Sequence, residues 1–165
     1  MDEAWGLLDN LPFEHLGGST GARRHTLPSG ERFVSKRGAS PAHIRNEYDV
    51  NRYLHALGVN VPDAKLFNGD EPTMLTRFEE DTTPFNLDDK AASYRIREDF
   101  LPHALLANWD VLGMDLDNVL IRPDGTPVYV DVGGAGPFRS QGVPKHDAWN
   151  PNLGELETMQ YQPPH

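Results

Sequence analysis

The sequence predicts an α+β fold in which short antiparallel hairpins alternate with helices, and three observations carry that prediction. Three turn signals, Pro28-Ser29-Gly30, Asn68-Gly69 and Asp124-Gly125, each separate two short runs rich in β-branched or aromatic residues. That is the pattern of strands joined by tight turns. Ser40-Pro41 reads as a cap followed by a first-turn proline, and from there to Gly58 Ile44, Tyr48, Leu54 and Leu57 keep near-helical spacing. A second helical pattern runs from Tyr94 to Trp109, with Leu101, Leu105 and Trp109 on one face as a buried spine and with Pro102 marking a start or a kink.

Composition narrows the classes of function. A chain of 165 residues is expected to form one domain with a real core. Its net charge of -10 argues against a nucleic-acid surface, whose footprint would be basic. The absence of cysteine excludes disulfides and thiolate metal sites. The start, MDEAWGLLDNL, lacks the basic and apolar regions of a secretory signal, and no apolar run reaches the length of a membrane span. The expectation is a soluble, cytoplasmic protein. Seven histidines are scattered without H-x-x-x-H or HExxH spacing, no G-x-S-x-G elbow occurs, and the aspartates between 110 and 117 lack the EF-hand pattern.

In chain order, residues 1–14 place Trp5, Leu7, Leu8, Leu11 and Phe13 among acids, which fits a short docking helix or strand. Gly17, Gly18, Ser19, Thr20 and Gly21 form a glycine-rich turn between two strands. Such a turn lets backbone N–H groups approach phosphate oxygens with no Cβ in the way, although neither G-x-G-x-x-G nor a GK[ST] ending is present. Phe33-Val34-Ser35-Lys36 ends the next strand on a single lysine, while Arg37 points to the other face. Glu47 lies on the helix that follows and is expected at its edge, because Ile44 and Tyr48 compete for the core. The strand from Thr73 to Phe78 leads into the acidic, proline-containing stretch 79–89, which reads as a connector.

The segment 108–134, NWDVLGMDLDNVLIRPDGTPVYVDVGG, is the richest in chemistry. Its two strands, VLIRP and PVYVDV, hold Asn118 at the start of one and Asp131 at the end of the other. A hairpin therefore brings two hard oxygen ligands to one end of a sheet, a donor set that suits Mg²⁺ carrying substrate phosphates. After Asp131, Gly133, Gly134 and Gly136 permit a sharp reversal, and Arg139 is available to a phosphate or an acidic loop residue. Trp149, Leu153, Leu156 and Met159 follow, enough to cover one face.

The order of these parts resembles the catalytic core of the protein-kinase-like fold, with the closest similarity to HipA-like, actin-fragmin-kinase-like and small bacterial effector kinases, over roughly residues 15–140. Asn118-Val119-Leu120-Ile121 matches the metal-binding asparagine and its strand, Asp131-Val132-Gly133 stands where Asp-Phe-Gly would be, and Lys36 resembles the V-A-I-K lysine. The resemblance implies a small antiparallel N-lobe sheet with one helix (1–78), a hinge (79–89) and a reduced C-lobe (90–165). It implies ATP and Mg²⁺ as cofactors, with Gly17 to Gly21, Lys36, Glu47 and the backbone of Arg77, Phe78 and Glu79 around the nucleotide, and with Asn118 and Asp131 on the metal. A protein or peptide hydroxyl would be the acceptor. The catalytic aspartate of the family lies five residues before the asparagine, where this chain has Gly113. Asp110, eight before, and Asp115, three before, are both candidates, and Asp110 is favoured if the extra residues bulge at Gly113. The missing H-R-D triplet leaves a nucleotide-binding pseudokinase or scaffold as an alternative, and nucleotidyl transfer on the same fold as another.

Overall fold

The first two hairpins build one five-stranded antiparallel sheet in the computed structural model, which describes residues 1–17 and 20–154. A short helix α1 (Asp2–Leu7) precedes β1 (Phe13–His15), which pairs across the glycine-rich turn with β2 (Arg23–Thr26). The Pro28-Ser29-Gly30 turn then returns the chain as β3 (Arg32–Lys36). After helix α2 (Pro41–Ala56), β4 (Ala64–Phe67) and β5 (Thr73–Arg77) form the hairpin around Asn68-Gly69. β5 inserts beside β3, so the spatial order is β1-β2-β3-β5-β4 and β3 is central. α1 and the 3-10 turn after it (Leu8–Asn10) cover one face of this sheet: Ala4 and Leu8 pack with Leu27, Phe33 and Leu75, and the ring of Trp5 stacks on Phe67 at 4.6 Å.

The connector 79–89 contributes a strand of its own. β6 (Thr83–Pro84) pairs with β7 (Val119–Ile121), which pairs through the Asp124-Gly125 turn with β8 (Pro127–Tyr129). The second core joins this small sheet to α2. Val50 and Leu54 from the helix meet Val59, Val61, Phe85, Ala92, Val119, Ile121, Tyr129 and Val132. One helix therefore packs against the strands on both sides of the connector.

Two expectations about the helices need correction. The stretch from Tyr94 to Trp109 is not one helix with a buried leucine spine. α3 (Lys90–Glu98) stops at Asp99, and α4 (Phe100–Leu105) starts anew. Pro102 has no N–H to offer the carbonyl of Glu98, so the ladder cannot run through. The carboxylate of Asp99 instead accepts a hydrogen bond from the Tyr129 hydroxyl at 2.9 Å. Leu101, Leu105 and Trp109 are each about half exposed, and the inward face of this stretch is His103, Ala104 and Asn108. In α2, Ser40 caps as expected, its hydroxyl accepting from the His43 N–H at 3.1 Å. Leu57, however, is exposed, and the buried face carries His43, Glu47 and Asn51 alongside Ile44, Val50 and Leu54. A polar stripe at positions i, i+4 and i+8 thus shares the face that the apolar spacing alone defined.

Candidate functional site

β3 and α2 together place the pair that organises the site. Lys36 closes β3 on its inward face, and Glu47 stands one turn into α2 beyond His43. The Lys36 ammonium donates to Glu47 Oε1 at 2.8 Å and to the Val130 carbonyl at 3.0 Å, and lies 3.6 Å from Asp131 Oδ2. Side-chain exposure is 6% for Lys36 and 1% for Glu47, against 36% for Asp131. Glu47 is therefore fully buried and not at the helix edge. It fits because a cation is waiting: an unpaired carboxylate in that position would be far too costly to desolvate.

The charges respond to this packing. Burial alone would lower the Lys36 ammonium, but Asp131 and Glu47 on either side hold it above the usual lysine value. Burial pushes the Glu47 carboxyl up, with Lys36 opposing it only in part. Burial also works against the Asp131 anion, yet Lys36 and the Gly133 N–H, which donates to Oδ1 at 3.0 Å, leave it below the usual range. Asp131 is thus the partner that carries the firm negative charge, and it is the one facing the cavity.

That cavity, of about 310 Å³, lies between the glycine-rich turn and the β7–β8 hairpin. It is lined by Gly17, Thr20, Lys36, Arg77, Phe78, Glu79, Asn118 and Asp131, with Val34, Leu120 and Val130 supplying apolar wall. Eight of the residues marked in the sequence thus meet on one surface. Glu47 stands behind it, touching Lys36. Gly21 opens instead toward a separate cavity behind the turn, lined also by Arg23, His25, Ser35 and Arg37. Gly18 and Ser19 lie outside the described residues.

At the connector, the Arg77 N–H is taken by the Asp63 carbonyl and the Phe78 N–H by the Arg32 carbonyl. The side chain of Glu79 is held by Arg122 in a two-point ion pair at 2.9 and 2.8 Å. That pair ties the start of the connector to the end of β7, a link with no local signal in the sequence.

Asp110 and Asn118 meet through the backbone. The Asn118 amide Nδ2 donates to the Asp110 carbonyl at 2.7 Å. The eight-residue spacing is absorbed by a loop that reverses at Gly113 and Leu116, both at positive φ, so the bulge falls where the glycine allowed it. Asp110 is half-buried against the glycine segment: a Cβ on Gly134 would come within 3.0 Å of the Asp110 Cβ. Asp115 is exposed, and neither it nor Asp110 lines the cavity, whereas Asp117 does. Among the described residues no three His, Asp or Glu side chains gather as a self-sufficient metal site. Asn118 and Asp131 nevertheless fit Mg²⁺, a hard ion that takes one or two protein oxygens and completes its shell with phosphate and water. The hydrogen bond fixing Asn118 Nδ2 leaves the amide oxygen as the open ligand.

Three further residues escaped the sequence reading. His43 is fully buried, accepts from the Ala39 N–H at Nδ1, and therefore carries its proton on Nε2, which donates to the Gly133 carbonyl at 2.9 Å. Asn46 donates to the Ala135 carbonyl at 3.0 Å. Lys145 donates to the carbonyls of Ala107, Gly134 and Gly136. The only signal for the first was its position one turn before Glu47.

No protein-family model matches the chain, and no curated protein matches it in sequence. Among solved structures it resembles the choline kinase LicA from Streptococcus pneumoniae, with a TM-score of 0.52, 11% identity, and 82% of this chain and 68% of that chain covered. At that identity the likeness concerns the fold. The chain has an α+β fold with an antiparallel N-terminal sheet, and it is this arrangement of sheet and helices that resembles the solved structure.

Proposed function

We propose that this chain is an ATP- and Mg²⁺-dependent phosphotransferase, with residues 1–78 as N-lobe, 79–89 as hinge and 90–165 as a reduced C-lobe. The observation that carries the reading is the buried Lys36–Glu47 pair set 3.6 Å from Asp131 on the wall of a cavity shared with Asn118. Burying a lysine and a glutamate is costly, and a buried ion pair backing an aspartate on a cavity wall suits a polyphosphate better than it suits packing.

In this reading Lys36 binds the α- and β-phosphates, and the glycine-rich turn offers backbone N–H groups to the remaining phosphate oxygens. Adenine lies along the hinge at Arg77 to Glu79. Since the N–H groups of Arg77 and Phe78 are already engaged, hydrogen bonding to the base falls to Glu79 and to hinge carbonyls. Asn118 and Asp131 would hold Mg²⁺, which supplies charge neutralisation on the phosphates when bound. The acceptor oxygen attacks the γ-phosphorus as the bond to the β,γ-bridging oxygen breaks. ADP departs, and the hydroxyl proton passes to Asp110.

The acceptor proposed is a protein or peptide hydroxyl. A small-molecule alcohol is the second reading, favoured by the structural likeness to a choline kinase. Incubation with Mg²⁺ and ATP labelled separately at the γ and α positions tests the proposal. Transfer of γ label to an acceptor supports it. Transfer of α label would replace it with nucleotidyl transfer, and tight binding without either would replace it with a pseudokinase.

A further inference from the structure

Four successive carbonyls after Asp131-Val132 each receive a side-chain donor. Gly133 is served by His43, Gly134 by Lys145 at 3.0 Å, Ala135 by Asn46, and Gly136 by Lys145 at 2.8 Å. The backbone here is close-fitted as well. A Cβ at Gly136, whose φ is +63, would lie 2.6 Å from Asn46 Oδ1. The same Lys145 ammonium reaches the Ala107 carbonyl, three residues before Asp110. Ala107 sits at φ +46, a left-handed conformation that a non-glycine residue adopts only when its surroundings hold it. The Trp109 ring covers the ammonium at 4.4 Å, and Lys145 is almost wholly buried.

We propose that Lys145 is a positioning residue for phosphoryl transfer: its ammonium latches the turn that launches Asp110 to the segment that follows Asp131. This rests on the phosphotransferase reading. Lys145 does not line the cavity, so it acts through the two loops it joins. The acceptor side and the metal side of the site then keep a common register, and that register matters because displacement by about 1 Å can cost about 100-fold in rate. His43 and Asn46 fix the same segment to α2, the helix that carries Glu47.

Lys145→Met keeps the length and apolar stem and removes the charge. The expected result is a Kd for Mg²⁺-ATP within about threefold of wild type, with a single-turnover transfer rate lower by about 100-fold. Amide exchange at Gly136, whose N–H donates to the Leu106 carbonyl at 2.7 Å, should quicken at least about tenfold while α2 amides keep their protection. Because the chain has no cysteine, Lys145→Cys can be alkylated with 2-bromoethylamine in denaturant and refolded. The restored ammonium should recover transfer, and iodoacetamide, which adds a neutral group, should not. A transfer rate in Lys145→Met within about threefold of wild type overturns the proposal, as does parallel loss of binding, rate and α2 protection. If the wild type binds no Mg²⁺-ATP, the phosphotransferase reading fails instead. The Gly136 exchange result then still decides whether the latch exists.

Discussion

Lys36 Nζ and Glu47 Oε1 stand 2.8 Å apart, both buried, and join the central strand to the helix that packs on the small sheet. Breaking a buried pair from either side is not symmetrical. Glu47→Ala strands an ammonium whose remaining carboxylate, Asp131, is partly solvated, and it should cost about 3–5 kcal/mol. Lys36→Ala leaves a glutamate whose carboxyl is already pushed up by burial and can take a proton, so its cost should be smaller. Chemical denaturation of the two single variants and the double variant checks this. A double variant less destabilised than the sum shows the pair acting as one unit, and a Lys36→Ala variant less stable than Glu47→Ala would refute the ordering.

Asp131→Asn should weaken Mg²⁺-ATP binding by at least about tenfold while the protein stays folded, because Glu47 remains to accompany Lys36. Calorimetric titration measures the first, and a melting curve the second. Unchanged affinity with an unchanged melting curve would remove Asp131 from the site.

Asp110→Ala should lower single-turnover transfer by about 100-fold or more while nucleotide binding survives, whereas Asp115→Ala should stay within about threefold of wild type. The expected ranking follows from placement. Asp110 is packed on Gly134 and joined to Asn118, while Asp115 is exposed in the loop. The reverse ranking would move the acceptor role to Asp115.

His103 is buried against the Tyr129 ring, accepts from Asn108 at Nδ1, and has no partner for Nε2 among the described residues. Burial pulls its pKa down to about 4 from the ordinary 6.5. The unfolded chain therefore takes up a proton here at a pH where the folded chain does not. Stability from this group is full above pH 6.5, erodes as the pH falls toward 4, and is lost below. The total is about 3 kcal/mol. Denaturant midpoints measured across that window should slope downward with acid, and His103→Phe should flatten the slope. An unchanged slope in that variant would assign the acid sensitivity elsewhere.

Local signals of the sequence were sufficient for the hairpins and for α2. Asn68-Gly69, Asp124-Gly125 and the Ser40-Pro41 cap act within a few residues, so neighbouring chain decides their outcome. The order of Lys36, Glu47, Asn118 and Asp131 was also legible, because each sits at a strand end or on a helix face that periodicity can place. The burial of Glu47 was not legible. It depends on Lys36 and Asp131 arriving from other elements, and the spacing of apolar residues in α2 contains nothing of them. The break at Asp99 was marked by Pro102, but the exposure of Leu101 and Leu105 was decided by His103 and Asn108 taking the inner face. Asn46, His43 and Lys145 read as ordinary polar residues in the chain. Only the tertiary structure, by running the glycine segment past all three, turned them into donors for its carbonyls, since buried backbone carbonyls must find partners wherever the fold supplies them.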